Sequence, residues 1–225
     1  MTWFNINSAL RRIGNFLSKW KTLISNLDKN VRPSSIFECF CYISLIDAYD
    51  SCRFHVDRRG PSQVFFKRSV LGDPNRCTYF VVSNPSGIFE VRQNQGYRNK
   101  DDIYFNLDIS IIRGEDTLEK SILKPQNIHT FLECKHYREF YPSTCANFIG
   151  LARMVMPLNI LWRDVRTPNY HAYPPPALLV SGNASHDVLT MMRVTMQKHY
   201  HIRFFDNISP YSGTSILIDW LMRRI

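Results

Sequence analysis

The chain predicts an α/β fold, a mixed central sheet flanked by helices, preceded by an amphipathic helix. Three observations carry this. Short runs rich in β-branched and aromatic residues, at 79–82, 88–91, 104–112 and 128–135, read as strands. Stretches of helical character lie at 6–27, 35–49 and 143–156. Ala177-Leu178-Leu179-Val180, a helix capped by Ser185, and Ile202-Arg203-Phe204-Phe205 follow as strand, helix, strand, which argues a parallel crossover. With 225 residues the chain can bury a sizeable core, expected as one domain (31–225) behind an N-terminal arm (1–30).

The arm has the clearest helical pattern. Ile6, Leu10, Ile13, Leu17, Trp20, Ile24 and Leu27 alternate spacings of four and three, with Arg11, Arg12, Lys19 and Lys21 off the stripe. So many large apolar residues need a cover, at about 1.5–3 kcal/mol for each one buried. The remaining chain supplies elements enough for a closed domain, so residues 1–28 are expected to self-associate or meet a partner protein rather than complete the core. Arg32-Pro33-Ser34-Ser35 ends the arm and opens a helix over 35–49, in which Ser35-x-x-Glu38 matches a capping box.

Residues 50–76 are charged (Arg53, His55, Arg58, Arg59, Lys67, Arg68, Arg76) and read as a solvated loop or a phosphate-tracking surface, with Val64-Phe65-Phe66 as a short strand. Thr78 to Gln93 reads as a hairpin turning at Asn84-Pro85-Ser86-Gly87. In the next strand Phe105, Leu107, Ile109 and Ile111 should share one face, with Asn106, Asp108 and Ser110 on the other. Residues 113–127 are a polar connection with a short helix before Pro125. The strand 128–135 then carries Glu133 and Lys135 on one face, Leu132 and Cys134 on the other. A helix follows from Ser143 to about Met156, then an irregular loop holding Trp162, Arg163 and Arg166, and a last helix near 214–224.

A net charge of +9 and a pI near 9.4 favour a polyanionic partner, nucleic acid before anionic membrane. The six cysteines include no Cys-x-x-Cys, and Cys39-x-Cys41 has the wrong spacing for a zinc knuckle, so a reducing, cytoplasmic setting is expected. No run reaches the about 18 apolar residues of a membrane-spanning helix.

Chemistry concentrates in two strands. Asp108 and Glu133 put charge into apolar runs where a core strand should carry none. If the strands are neighbours, two carboxylates meet beside Lys135 at the edge of the core. That donor set suits a hard cation such as Mg²⁺. Asp101 and Asp102 sit in a polar loop and are weaker candidates. Cys134 with His129 or His136 suggests a thiol hydrolase only if the thiol leaves the core. His199 and His201 read as a helix end, and His171 and Tyr173 lie in the Pro-rich loop.

Asp108 followed by Glu133-Cys134-Lys135, the one [DE]-x-K triplet in the chain, resembles the PD-(D/E)xK nuclease superfamily, the restriction-endonuclease-like fold. The resemblance covers about residues 34–206 and departs from the motif at Leu107, which stands where the superfamily name has Pro. It implies a nuclease-like domain over 31–225 and a metal-dependent hydrolase of phosphodiester bonds, with DNA more than RNA as substrate. It further implies Mg²⁺ (with Mn²⁺ as substitute) held by Asp108, Glu133 and the backbone carbonyl of Cys134, and Lys135 positioning and activating the attacking water. A glutamate on the helix before the sheet often stands near the metal in this superfamily, so Glu38 is either a cap or a site residue. Such an endonuclease suits the effector of a prokaryotic antiviral defence system. The alternative is a catalytically inactive nuclease-like module that binds nucleic acid or a partner protein.

Overall fold

The computed structural model describes residues 4–20, 31–67, 76–85, 87–98, 103–114, 122–123, 128–138, 141–155, 174–192 and 202–222. Among these, five helices pack on one mixed sheet. The helices are α1 (Ile6–Lys19), α2 (Pro33–Ser51), α3 (Pro142–Val155), α4 (His186–Met192) and α5 (Gly213–Leu221). The strands are β1 (His55–Arg59), β2 (Tyr79–Asn84), β3 (Gly87–Arg98), β4 (Tyr104–Arg113), β5 (Ile122–Leu123), β6 (Ile128–Lys135), β7 (Ala177–Val180) and β8 (Arg203–Phe205). Their order in the sheet is β1-β2-β3-β4-β6-β7-β8, with β5 parallel to the end of β3. The run from β1 to β6 is antiparallel, and β6, β7 and β8 are parallel. The expected strand–helix–strand crossover is therefore present, with Ser185 Oγ accepting from Val188 N–H at 3.4 Å at the start of α4.

Burial sorts the helices onto two faces. One core joins α1, α2 and α5 to Val82, Val91, Ile109, Ile111, Leu132, Cys134 and Leu179. The other joins α3 and α4 to Tyr97, Leu107, Phe131, Leu178 and Val180. α2 is apolar on almost every side and lies buried between the sheet, α1 and α5. At Gly213 an added Cβ would stand 2.8 Å from the Phe40 ring, so glycine lets α5 close onto α2. Trp220 then donates from its indole N–H to the Pro175 carbonyl at 2.9 Å and ties α5 to the lead-in of β7.

Several expectations need correction. The stripe of α1 does not stand free for a partner: Ala9, Ile13, Phe16 and Leu17 are buried in the α2 core, and Phe16 and Trp20 pack edge-on against Phe80. The helix is set there by an Asn5 cap and by Lys19 at 2.7 Å from Asp50. The physical reason is that β2 and α2 present apolar surface which α1 covers. Ser35-x-x-Glu38 is not a capping box either, because α2 starts at Pro33 and both residues fall inside the helix. Part of the charged 50–76 segment is the edge strand β1, whereas 64–66 forms no strand of its own and Phe65 exchanges hydrogen bonds with Thr78. Of the polar connection 113–127, Ile122–Leu123 are strand β5, and the proposed helix before Pro125 otherwise lies outside the described residues.

The last correction bears on the site. Phe105 and Leu107 pack on the α3 side while Ile109 and Ile111 pack on the α2 side, so the alternation of β4 reverses around Asp108. β3 reverses at the same level, since Val91 and Tyr97 lie on opposite faces although six residues apart. The reversal falls at Asn94, whose φ of 49° is left-handed. Gln93↔Ile109 and Gln95↔Leu107 pair on either side of it, which sets Asn94 opposite Asp108.

Candidate active site

β4 and β6 pair only up to Ile109↔Leu132 and then part. Asp108 and Glu133 are the next residue on each strand, and their side chains take over the hydrogen bonds that the ladder no longer makes. Asp108 N–H donates to Glu133 Oε1 at 3.3 Å, and Cys134 N–H donates to Asp108 Oδ2 at 2.8 Å. Lys135 Nζ reaches both carboxylates, 3.0 Å from Asp108 Oδ2 and 2.9 Å from Glu133 Oε2. The acids are buried while the lysine side chain keeps 33% of its exposure, so the ammonium closes the site on its solvent side.

Glu38 reaches the same place from α2. It is half-buried, accepts from Asn94 Nδ2 at 3.4 Å, and feels the charges of Asp108 and Lys135. Burial first, and then Asp108, push its carboxyl from 4.5 up to about 7. Burial and the Asp108 charge likewise raise Glu133, against the pull of Lys135. Burial alone would lower the Lys135 ammonium, but Asp108 and Glu133 outweigh it and hold its pKa above that of an ordinary lysine. Both glutamates are thus raised first by burial and then by the neighbouring Asp108 charge, with Lys135 as the ammonium that opposes the shift.

No family model matches the chain, and no curated protein or solved structure does either. What this constellation can do therefore rests on its own chemistry.

The donor set is all oxygen and in charge excess, which fits a hard divalent cation. Asp108 and Glu133 would hold it, with Glu38 behind. Cys134 adds its carbonyl, which in a strand points to the same side as its N–H, the side of Asp108. Among the described residues no three His, Cys, Asp or Glu side chains stand together in a group able to hold an ion. The Lys135 ammonium lies between the two buried carboxylates instead.

The Cys134 thiol faces the α2 core, where burial and the neighbouring Cys41 push it well above an ordinary thiol. It is no nucleophile. His136 pairs through Nδ1 with Ser181 Oγ at 2.9 Å and packs on Phe4 and Phe37. Asp101, Asp102, Trp162, Arg163, Arg166, His171, Tyr173, His199 and His201 lie outside the described residues. No described helix is long and apolar enough to cross a membrane.

The reading from sequence missed Asn94 and Asn106. Asn94 is buried within β3, and its amide spans Glu38, the Lys67 carbonyl at 2.7 Å and Asn106 Nδ2 at 3.1 Å. The sequence shows only a polar run, Gln93-Asn94-Gln95, that reads like a turn; its burial and the continuation of the strand to Arg98 are seen in the structure alone. Buried amides of this kind need partners.

Proposed function

We propose that the chain is a Mg²⁺-dependent phosphodiesterase acting on nucleic acid, DNA before RNA, on a restriction-endonuclease-like fold. One observation carries this: Asp108 and Glu133 meet beside Lys135 where two strands part, with Glu38 close enough for the Asp108 charge to raise it. A bound Mg²⁺ or Mn²⁺ would neutralise these acids, bind phosphate oxygens and activate water. The protein's own part is orientation and charge. Cys134 N–H and Asp108 N–H each fix one oxygen of a carboxylate, Oδ2 of Asp108 and Oε1 of Glu133. Lys135 stays protonated, and from the mouth of the site it donates to the attacking water and to the charge that develops on the phosphoryl oxygens. The net charge of +9 favours a polyanionic substrate.

Purified protein incubated with plasmid should cleave it with Mg²⁺ or Mn²⁺ and leave it intact with EDTA. Intact plasmid, single-stranded DNA and RNA under all conditions would overturn the reading. A second reading, an inactive module that binds nucleic acid or a protein partner, is favoured by the ammonium that already bridges Asp108 and Glu133. It predicts binding in a mobility-shift assay without cleavage.

A further inference from the structure

Asn94 does in one residue what neither a strand nor a helix can do alone. Its left-handed φ of 49° turns the backbone of β3 at the level of Asp108, a conformation that asparagine tolerates better than other residues bearing a side chain. From that turn the amide meets three segments: Nδ2 donates to the Lys67 carbonyl at 2.7 Å and to Glu38 Oε2 of α2 at 3.4 Å, while Oδ1 accepts from Asn106 Nδ2 of β4 at 3.1 Å. Every polar atom of the side chain is used, and the residue is 4% exposed. Glu38 sits mid-helix with no capping role and no salt bridge among the described residues.

We infer that Asn94 is the positioning residue of the candidate site: it anchors the Glu38 carboxylate beside Asp108 and so sets the affinity for the divalent cation. The inference rests on the metal-dependent reading and adds to it a residue that touches neither cation nor substrate. A positioning partner one step removed from a ligand is worth on the order of 10–100-fold in metal affinity.

The test separates backbone from amide. Asn94→Gly keeps the left-handed backbone and deletes the amide. Mg²⁺ binding is measured by calorimetry on the full chain, and cleavage is measured across a Mg²⁺ titration. The variant should fold, and it should need at least about tenfold more Mg²⁺ in binding and in half-saturation of cleavage. The larger part of the loss should lie there rather than in kcat. If Asn94 only shapes the strand, the variant binds Mg²⁺ as the parent does, and the inference falls while the nuclease reading stands. Parent protein that neither binds Mg²⁺ nor cleaves nucleic acid overturns both. Should Asn94→Gly lose its fold, Glu38→Gln decides: unchanged Mg²⁺ affinity there removes the group that Asn94 is said to hold.

Discussion

Asp108 and Glu133 each accept a hydrogen bond from the backbone of the other's strand, at 2.8 Å from Cys134 N–H and 3.3 Å from Asp108 N–H. The two acids are thus both structural plugs where β4 and β6 separate and the centre of the candidate chemistry. Substitutions must respect both roles.

Asp108→Asn and Glu133→Gln keep an acceptor for those N–H groups and remove the charge. Each should fold, with a metal-free melting temperature at pH 8 equal to or above the parent's, because each relieves carboxylate repulsion. Cation-dependent cleavage should fall by at least about 10²-fold. Thermal melts and plasmid assays check this; unfolding of both variants would mean that the carboxylates serve an ion pair alone.

The raised glutamates set a pH dependence. Glu38 binds its proton more tightly folded, near 7, than its ordinary 4.5, and Glu133 shifts the same way. Between those values the native state holds more protons than the unfolded one, so stability falls as pH rises from about 4.5 through about 7 for Glu38 and on to about 8 for Glu133. Mg²⁺ needs the charged forms, so its stabilising effect should grow over the same interval, with proton release on binding. Melting temperatures from pH 5 to 8.5 with Mg²⁺ or EDTA test the sign. Glu38→Gln should flatten the slope.

Lys135→Ala separates the two functional readings. It leaves Asp108 and Glu133 without their ammonium, so the metal-free protein should melt lower at pH 8, and Mg²⁺ should restore it. With a competing cation gone, Mg²⁺ should bind at least as tightly as to the parent, yet cleavage should fall by about 10² or more. A variant that binds no Mg²⁺ and is simply less stable supports the inactive module.

Ile13→Ala tests where α1 belongs. Ile13 is fully buried against the α2 core, so the substitution should cost about 2–5 kcal/mol in urea unfolding. Leu17→Asp should do more harm still. Stability unchanged in both variants, with an altered assembly state in light scattering, would return α1 to the role of a partner-binding arm.

Much of this architecture was legible along the chain because it depends on local pattern. The apolar runs of β4 and β6, the hairpin from Tyr79, the helices α2 and α3, and the crossover through α4 all follow from periodicity and turn chemistry that a short window contains. Asp108, Glu133 and Lys135 stood out because charge inside an apolar strand is costly unless it is partnered. Tertiary structure decided the rest. Whether α1 closes the core depends on apolar surface that β2 and α2 leave uncovered. Whether Glu38 caps a helix or faces Asp108 depends on α2 beginning at Pro33, and on how that helix lies across the sheet. Asn94 carries no local signal that distinguishes it from any asparagine in a turn. Its left-handed backbone within a strand stands opposite Asp108 where α2, β3 and β4 meet, and burial makes each of its polar atoms find a partner.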